Sequence, residues 1–160
     1  MLKIRPFQWS DVDALNERAN DPEVCKYTSV SPPVFLESTV RYFNDRLEKE
    51  DIVLIAEVDG MVAGSLEVRR YRDKRSHIGD IGIAIKKEFW GKGIGTKLLE
   101  RALKEAKKKG LKKVTYEVYT PNKRSINLVK QFGFRRAGRK MKELRVGKKY
   151  YDLLIFEKLL

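Results

Sequence analysis

Residues 80–103 read DIGIAIKKEFWGKGIGTKLLERAL, and their hydrophobic period changes part-way along. From 81 to 85 isoleucine alternates with small residues. Ile81, Ile83 and Ile85 therefore share one face of a strand over 77–85, and Asp80, Gly82 and Ala84 take the other. Beyond Gly93 the spacing lengthens: Ile94, Leu98, Leu99, Ala102, Leu103 and Ala106 fall on one helical stripe, which Gly110 ends. KKVTYEVYT (112–120), rich in β-branched and aromatic residues, predicts the next strand. Strand, helix and strand with short joins imply a parallel pair with a right-handed crossover.

Between strand and helix stand Gly91, Gly93 and Gly95. A glycine costs about 0.5–1 kcal/mol relative to alanine in regular structure, so three so close together need a reason. The first N–H groups of a helix lack internal partners, and the peptide dipoles add positive potential there. Glycines let that backbone approach a large anion without a β-carbon in the way, the arrangement of a pyrophosphate cradle. Lys92 would add charge and the Thr96 hydroxyl a donor. The plain alternative is a tight strand-to-helix turn with no ligand. A nucleotide P-loop, G-x-x-x-x-G-K-S/T, is absent, and the spacing fits a dinucleotide fingerprint badly.

Working outward, LKIRPF predicts a first strand closed by Pro6, followed by a short helix over SDVDALNERAN with Ser10 as its N-cap and Asp13 in a capping-box position. Pro22, Pro32 and Pro33 make 21–33 irregular. Phe35 or Leu36, Val40, Phe43 and Leu47 recur at helical spacing and predict a second helix to about Glu50. IVLIAEVDGMVAGSLEV reads as a hairpin turning at Asp59-Gly60. A short helix over 122–132 stops at Gly133, and two strands, about 134–145 and 149–157, close the chain around Gly147. The sum is an α+β domain with a mixed, mostly antiparallel sheet of about seven strands and four helices.

At 160 residues, 42% of them hydrophobic and spread along the length, the chain fits one domain, 1–160, with its own core. No apolar run approaches the roughly 20 residues of a membrane span, so no membrane partner is expected. The opening MLKIRPFQWSD lacks a signal-peptide layout. One cysteine, Cys25, and one histidine, His77, leave no disulfide framework and little material for a metal site. A reducing, cytoplasmic compartment is the expectation. The net charge is +13, with basic runs at 69–75, 107–113 and 135–149. Such a field attracts polyanions, but abundant Lys and Glu also suit a thermophile-like solvated surface, so nucleic acid is the lesser reading.

DIGIAIKKEFWGKGIGTKLLERAL resembles the coenzyme-binding core of the GNAT superfamily of N-acetyltransferases, with its Q/R-x-x-G-x-G/A signature, and PNKRSINLVKQFGF (121–134) resembles that family's following N-x-x-A/S-x-x-L-Y-x-x-x-G-F segment. Both motifs stand in order at the family's separation, and the resemblance covers essentially the whole chain. It implies acetyl transfer from acetyl-CoA, a cosubstrate, to a primary amine with no metal. The acceptor would be a free amino acid, a small amine or a protein N-terminus, and family habit adds a homodimer. It also implies that the central parallel strands splay, that Ile83, Ala84 and Ile85 hold the pantetheine arm, and that Trp90, Gly91, Lys92, Gly93, Ile94, Gly95 and Thr96 take the pyrophosphate. Asn122 and Ser125 would reach the arm or its phosphate, Asn122 also capping its helix.

Two positions depart from the family pattern. Trp90 takes the Q/R place, which backbone-held phosphates tolerate. Val129 stands where many members carry the tyrosine that protonates the leaving thiolate, leaving Tyr119 as the candidate acid. For the base, Asp80 comes first and Glu67 second; for either, the competing reading is a cross-strand ion pair. Tyr27, Phe35 and Tyr150 would form an aromatic acceptor pocket, and the basic rim would favour acceptors carrying a carboxylate. The competing classes are a coenzyme-binding domain without catalysis and a basic nucleic-acid-associated protein.

Overall fold

A computed structural model describes all 160 residues. Seven strands form one sheet: β1 (Leu2–Pro6), β2 (Ile52–Val58), β3 (Met61–Arg70), β4 (Ile78–Ile85), β5 (Lys113–Tyr119), β6 (Arg135–Val146) and β7 (Lys149–Leu159). Their order is β1-β2-β3-β4-β5-β7-β6, and only the β4–β5 pair is parallel. The five helices are α1 (Val12–Ala19), α2 (Pro22–Cys25), α3 (Leu36–Glu48), α4 (Ile94–Lys108) and α5 (Lys123–Gln131).

Alternation along β2 shows how the sheet is sandwiched. Ile52, Leu54 and Ala56 enter the large core with α4 and α5, whereas Val53 and Ile55 enter a small one with Leu15 of α1 and Phe43 of α3. The α4 stripe is buried as its period requires, all six residues facing the sheet. At roughly 1.5–3 kcal/mol per large buried side chain, this face anchors the helix far more firmly than helix propensity does. The hairpin turn also forms as read, with Asp59 at φ 49° and Gly60 at φ 82° matching the strand twist.

Four details differ from the sequence reading. The N-terminal turn is organised by Asp11, not Ser10 or Asp13. Asp11 is buried, both oxygens accept from Arg5 (2.8 and 2.9 Å), and Oδ2 also accepts from the Gln8 N–H. Segment 21–33 is not wholly irregular, because Pro22 sits at the first helical position behind the Asp21 cap and permits the single turn of α2. That turn makes five α-helices rather than four. The α3 stripe is mostly exposed: Phe43 is buried, while Phe35, Leu36, Val40 and Leu47 face outward, because α3 meets α1 and β2 along one narrow ridge.

The feature that positions the site is where β4 and β5 part. They pair from Ile78–Lys113 to Ile81–Tyr116 and no further. Beyond that point β4 stays with β3 as far as Ile85–Gly64, and β5 stays with β7 as far as Tyr119–Leu153. Each strand keeps its antiparallel neighbour, and the sheet opens between them.

Candidate active site

Direction along β4 decides what the opening exposes. The Tyr71 N–H bonds the Ile78 carbonyl and the Lys86 N–H bonds the Ala63 carbonyl, so even-numbered residues of β4 address β3. The His77 carbonyl, by contrast, receives Lys112 and Lys113, so odd-numbered residues address β5. Past Ile81 no strand stands opposite. Ile83 thus turns its N–H and C=O, and Ile85 its N–H, into the gap; the Ile85 carbonyl is taken by the Trp90 indole at 2.8 Å.

This free edge walls a cleft of about 600 Å³ that runs to the start of α4 and is closed on the far side by the start of α5. Gly91 (φ 73°) and Gly93 (φ 74°) are left-handed, a conformation that disfavours other residues, and nothing lies within 4 Å of where a β-carbon would stand. Gly93 caps α4 with no side-chain bond, the first turn holds no acid, and the first intrahelical bond runs from Lys97 to the Gly93 carbonyl. The N–H groups of Ile94, Gly95 and Thr96 therefore face the cleft unpartnered. Gly95 serves packing as well, since a β-carbon there would lie 3.1 Å from Leu128 of α5.

Trp90, Gly91, Gly93, Ile94, Gly95, Thr96, Asn122 and Ser125 all line the cleft, as do Ile83, Ala84 and Ile85. Lys92 does not: its ammonium lies over the Phe89 ring at 5.3 Å. The cations that line the cleft are instead Lys26, Lys123 and Arg124, the last stacked on Trp90 at 4.4 Å. The Asn122 side chain caps α5 through the Ser125 N–H at 3.2 Å while also lining the cleft.

A second cavity of about 220 Å³ occupies the opening itself and shares Tyr27, Thr28, Ile83 and Asn122 with the first. Asp80 and Tyr119 line it, with Arg69, Gly82, Tyr116 and Glu117. Asp80 is engaged on both oxygens: Arg69, its cross-strand partner, donates to Oδ2 at 2.6 Å and Thr115 to Oδ1 at 3.0 Å. The ion pair weighed as the competing reading for Asp80 is thus present. Glu67 is buried, with Oε1 accepting from the Ser65 hydroxyl at 2.6 Å. Its Oε2 lies 3.4 Å from where a Gly82 β-carbon would stand, and Arg69 Nη2 lies 3.3 Å from the same point. Arg69 lines the second cavity and Glu67 lines neither; Gly82, without a side chain, forms the window between that cavity and the Glu67 carboxylate.

Two phenols of β5 flank the opening. Burial pushes the Tyr116 hydroxyl up from its usual pKa, while Ser125 beside it acts the other way. Burial also raises Tyr119, and Glu143 and Glu117 add to it. The expected trio of Tyr27, Phe35 and Tyr150 does not assemble. Tyr27 packs edge-on against Tyr151 at 5.7 Å, and Phe35 and Tyr150 are exposed.

Tyr116, Arg69, Arg18 and Arg124 escaped the sequence reading. Strand alternation places Tyr116 on the apolar face with Val114 and Val118, so it reads as core until the end of the β4–β5 ladder is known. Arg69 lies within a basic run, and only its register with Asp80 sets it apart. No cluster of three or more His, Cys, Asp or Glu side chains gathers to hold a metal ion, and no helix is long and apolar enough to cross a membrane.

The family model for the acetyltransferase (GNAT) family matches residues 13–134, and the chain belongs to that family of acyltransferases. An L-amino acid N-acetyltransferase of Escherichia coli is 26% identical over 154 residues, covering 93% of this chain and 88% of that protein. Among solved structures, a GNAT acetyltransferase from Streptococcus pneumoniae superposes with a TM-score of 0.88 at 27% identity over 100% of both chains. A phosphinothricin acetyltransferase from Sinorhizobium meliloti in complex with acetyl-CoA gives 0.92 at 18% identity, covering 99% of this chain and 88% of that one.

Proposed function

We propose that this chain is a single-domain, cytoplasmic N-acetyltransferase that uses acetyl-CoA and acts on a small primary amine, a free amino acid first among the candidates. One observation carries the reading. An unpaired peptide edge leads from the uncapped start of α4 into an opening where a second cavity meets it. The residues present suit the coenzyme: β-carbon-free, left-handed backbone at Gly91 and Gly93, free N–H groups at 94–96, and a strand edge ready to be paired.

When bound, acetyl-CoA supplies the acetyl group as a thioester. The chain's own groups divide the remaining work. The N–H groups of 94–96 hold phosphate, and the N–H groups of Ile83 and Ile85 hold the arm and polarise the thioester carbonyl. Glu67 Oε2 takes the proton of the attacking amine through the Gly82 window, directly or through one water. Glu67 is placed ahead of Asp80 because both oxygens of Asp80 are already engaged. Tyr116 is placed ahead of Tyr119 as donor to the leaving thiolate, since it reaches from the opening toward Ser125 on the cleft wall. An amino acid is favoured by the small acceptor cavity, by Arg69 standing beside Glu67 at the window to receive a carboxylate, and by the named activity of the Escherichia coli relative.

Calorimetry with acetyl-CoA, followed by thiol release across L-amino acids, simple amines and short peptides, tests this reading. Tight binding with release by small amino acids is expected. Binding with no release on any acceptor would leave the non-catalytic reading. Binding of nucleic acid but not of acetyl-CoA would leave the third.

A further inference from the structure

The first helix contributes a side chain that the proposed chemistry does not yet use. Arg18 of α1 reaches the sheet, and a single nitrogen, Nη1, donates to the Ser65 hydroxyl at 2.7 Å and to the Ala84 carbonyl at 3.1 Å. A guanidinium has donors and no acceptor. Toward Arg18 the Ser65 oxygen can therefore only accept, and its own proton goes to Glu67 Oε1 at 2.6 Å. The direction of the whole chain is fixed by chemistry. Glu67 is pinned through Oε1, which leaves Oε2 at the Gly82 window. The other branch grips Ala84, the residue between the two whose N–H groups face the coenzyme gap.

We propose that Arg18 is a positioning residue that ties the strand holding the thioester to the carboxylate receiving the amine proton; this rests on the acetyltransferase reading above. The charged and titratable groups facing Glu67 are Arg18 from α1, Tyr42 from α3 and Arg69 on β3, with Asp80 of β4 beyond Arg69. Of these, Arg18 alone joins Glu67 to β4 on the cleft side. Burial pulls the Arg18 pKa down and the Glu67 carboxylate, across the bridging Ser65 hydroxyl, opposes it.

Two substitutions separate the branches. Arg18→Met removes both. Acetyl-CoA affinity, read by calorimetry, should fall about tenfold as a charge-assisted hydrogen bond is lost, and the acid limb of the pH–rate profile should move up by about one unit. Ser65→Ala cuts only the branch to Glu67: the profile should move while acetyl-CoA affinity stays within about twofold of the wild type. A merely structural role for Arg18 would not divide the two readouts in this way. Arg18→Lys keeps the charge on a side chain that reaches less far; it should restore most of the profile but not the affinity, and it carries the test in folded protein if Arg18→Met is too unstable to assay. If the wild type acetylates nothing in the amine panel, the enzymatic reading has failed. The Ala84 branch is then still judged by coenzyme affinity alone. Unchanged affinity in Arg18→Met and Arg18→Lys, or a Ser65→Ala profile that overlies the wild type, overturns the proposal.

Discussion

The larger cavity is bounded in large part by peptide groups: a strand edge without a neighbour, two left-handed glycines and a helix start with no side-chain cap. The smaller is bounded by side chains that brace one another. Arg69 holds Asp80 in its wall, and behind the wall, on the far side of Gly82, Arg18 holds Ser65 and Ser65 holds Glu67. A backbone site binds a constant feature such as phosphate or an amide-bearing arm, and it tolerates side-chain change provided the backbone conformation survives. A side-chain site reads a particular acceptor and fails when one brace is removed. The molecule places the shared chemistry in backbone and the individual chemistry in side chains.

The sharpest way to break that contrast is to attack the backbone where it is left-handed. Gly93→Val should weaken acetyl-CoA binding by about a hundredfold, near 2.7 kcal/mol, because a β-branched residue resists φ 74° and its β-carbon enters the open space in which phosphate is proposed to sit. Calorimetry reads the affinity, and a melting curve shows whether the sheet persists. Retained affinity would mean that the cleft does not depend on its backbone shape.

Of the same size, read on turnover, is the effect on the side-chain half. Glu67→Gln keeps the shape and removes the proton acceptor, so turnover should fall by about 10², the lower end for a general base, with acetyl-CoA affinity unchanged. Asp80→Asn should cost much less, since it loosens Arg69 without removing the group at the window. A larger loss in Asp80→Asn would restore Asp80 as the base and reverse the order argued from the Gly82 window.

A smaller effect sharpens the comparison where the two cavities meet. Tyr116→Phe should lower turnover about tenfold, less than the roughly 10²–10⁴ typical of a general acid because a thiolate leaves readily, while Tyr119→Phe should have little effect. The sign of the pH dependence follows from burial. Burial raises the Tyr116 pKa, so the phenol keeps its proton to higher pH and stays competent as an acid through the neutral range. The alkaline fall in rate should lie above the ordinary phenol value of about 10 and should disappear in Tyr116→Phe. The weakest expected effect is at the mouth. Arg124→Ala should reduce acetyl-CoA affinity only a few-fold, roughly 0.5–1 kcal/mol for an exposed cation stacked on Trp90, and should flatten its salt dependence.

The same division explains what could be read before folding. The walls of the larger cleft were legible because their cause is local: alternating isoleucines, a run of glycines and a six-residue helical stripe lie within 26 consecutive residues, 81–106. The acceptor half was not, because its contacts join α1 at Arg18 to β3 at Ser65 and β4 at Ala84, partners 47 and 66 residues away. Asp80 and Glu67 were found as residue types on neighbouring strands, but their order depends on which oxygen is occupied, and sequence spacing carries no trace of that. The α3 stripe failed for a related reason. Helical period shows which residues share a face, not whether a partner is broad enough to cover it. Lys92 failed because a flexible chain chose the Phe89 ring over the cleft.

Amide hydrogen exchange with and without acetyl-CoA tests the central claim most directly, since it reports on the peptide groups themselves. Protection is expected at Ile83 and Ile85 and at 94–96, with the Ile78–Ile81 amides, already paired or facing β3, changing little. Protection confined to other parts of the chain, or no change at 83, 85 and 94–96 under saturating coenzyme, would contradict it.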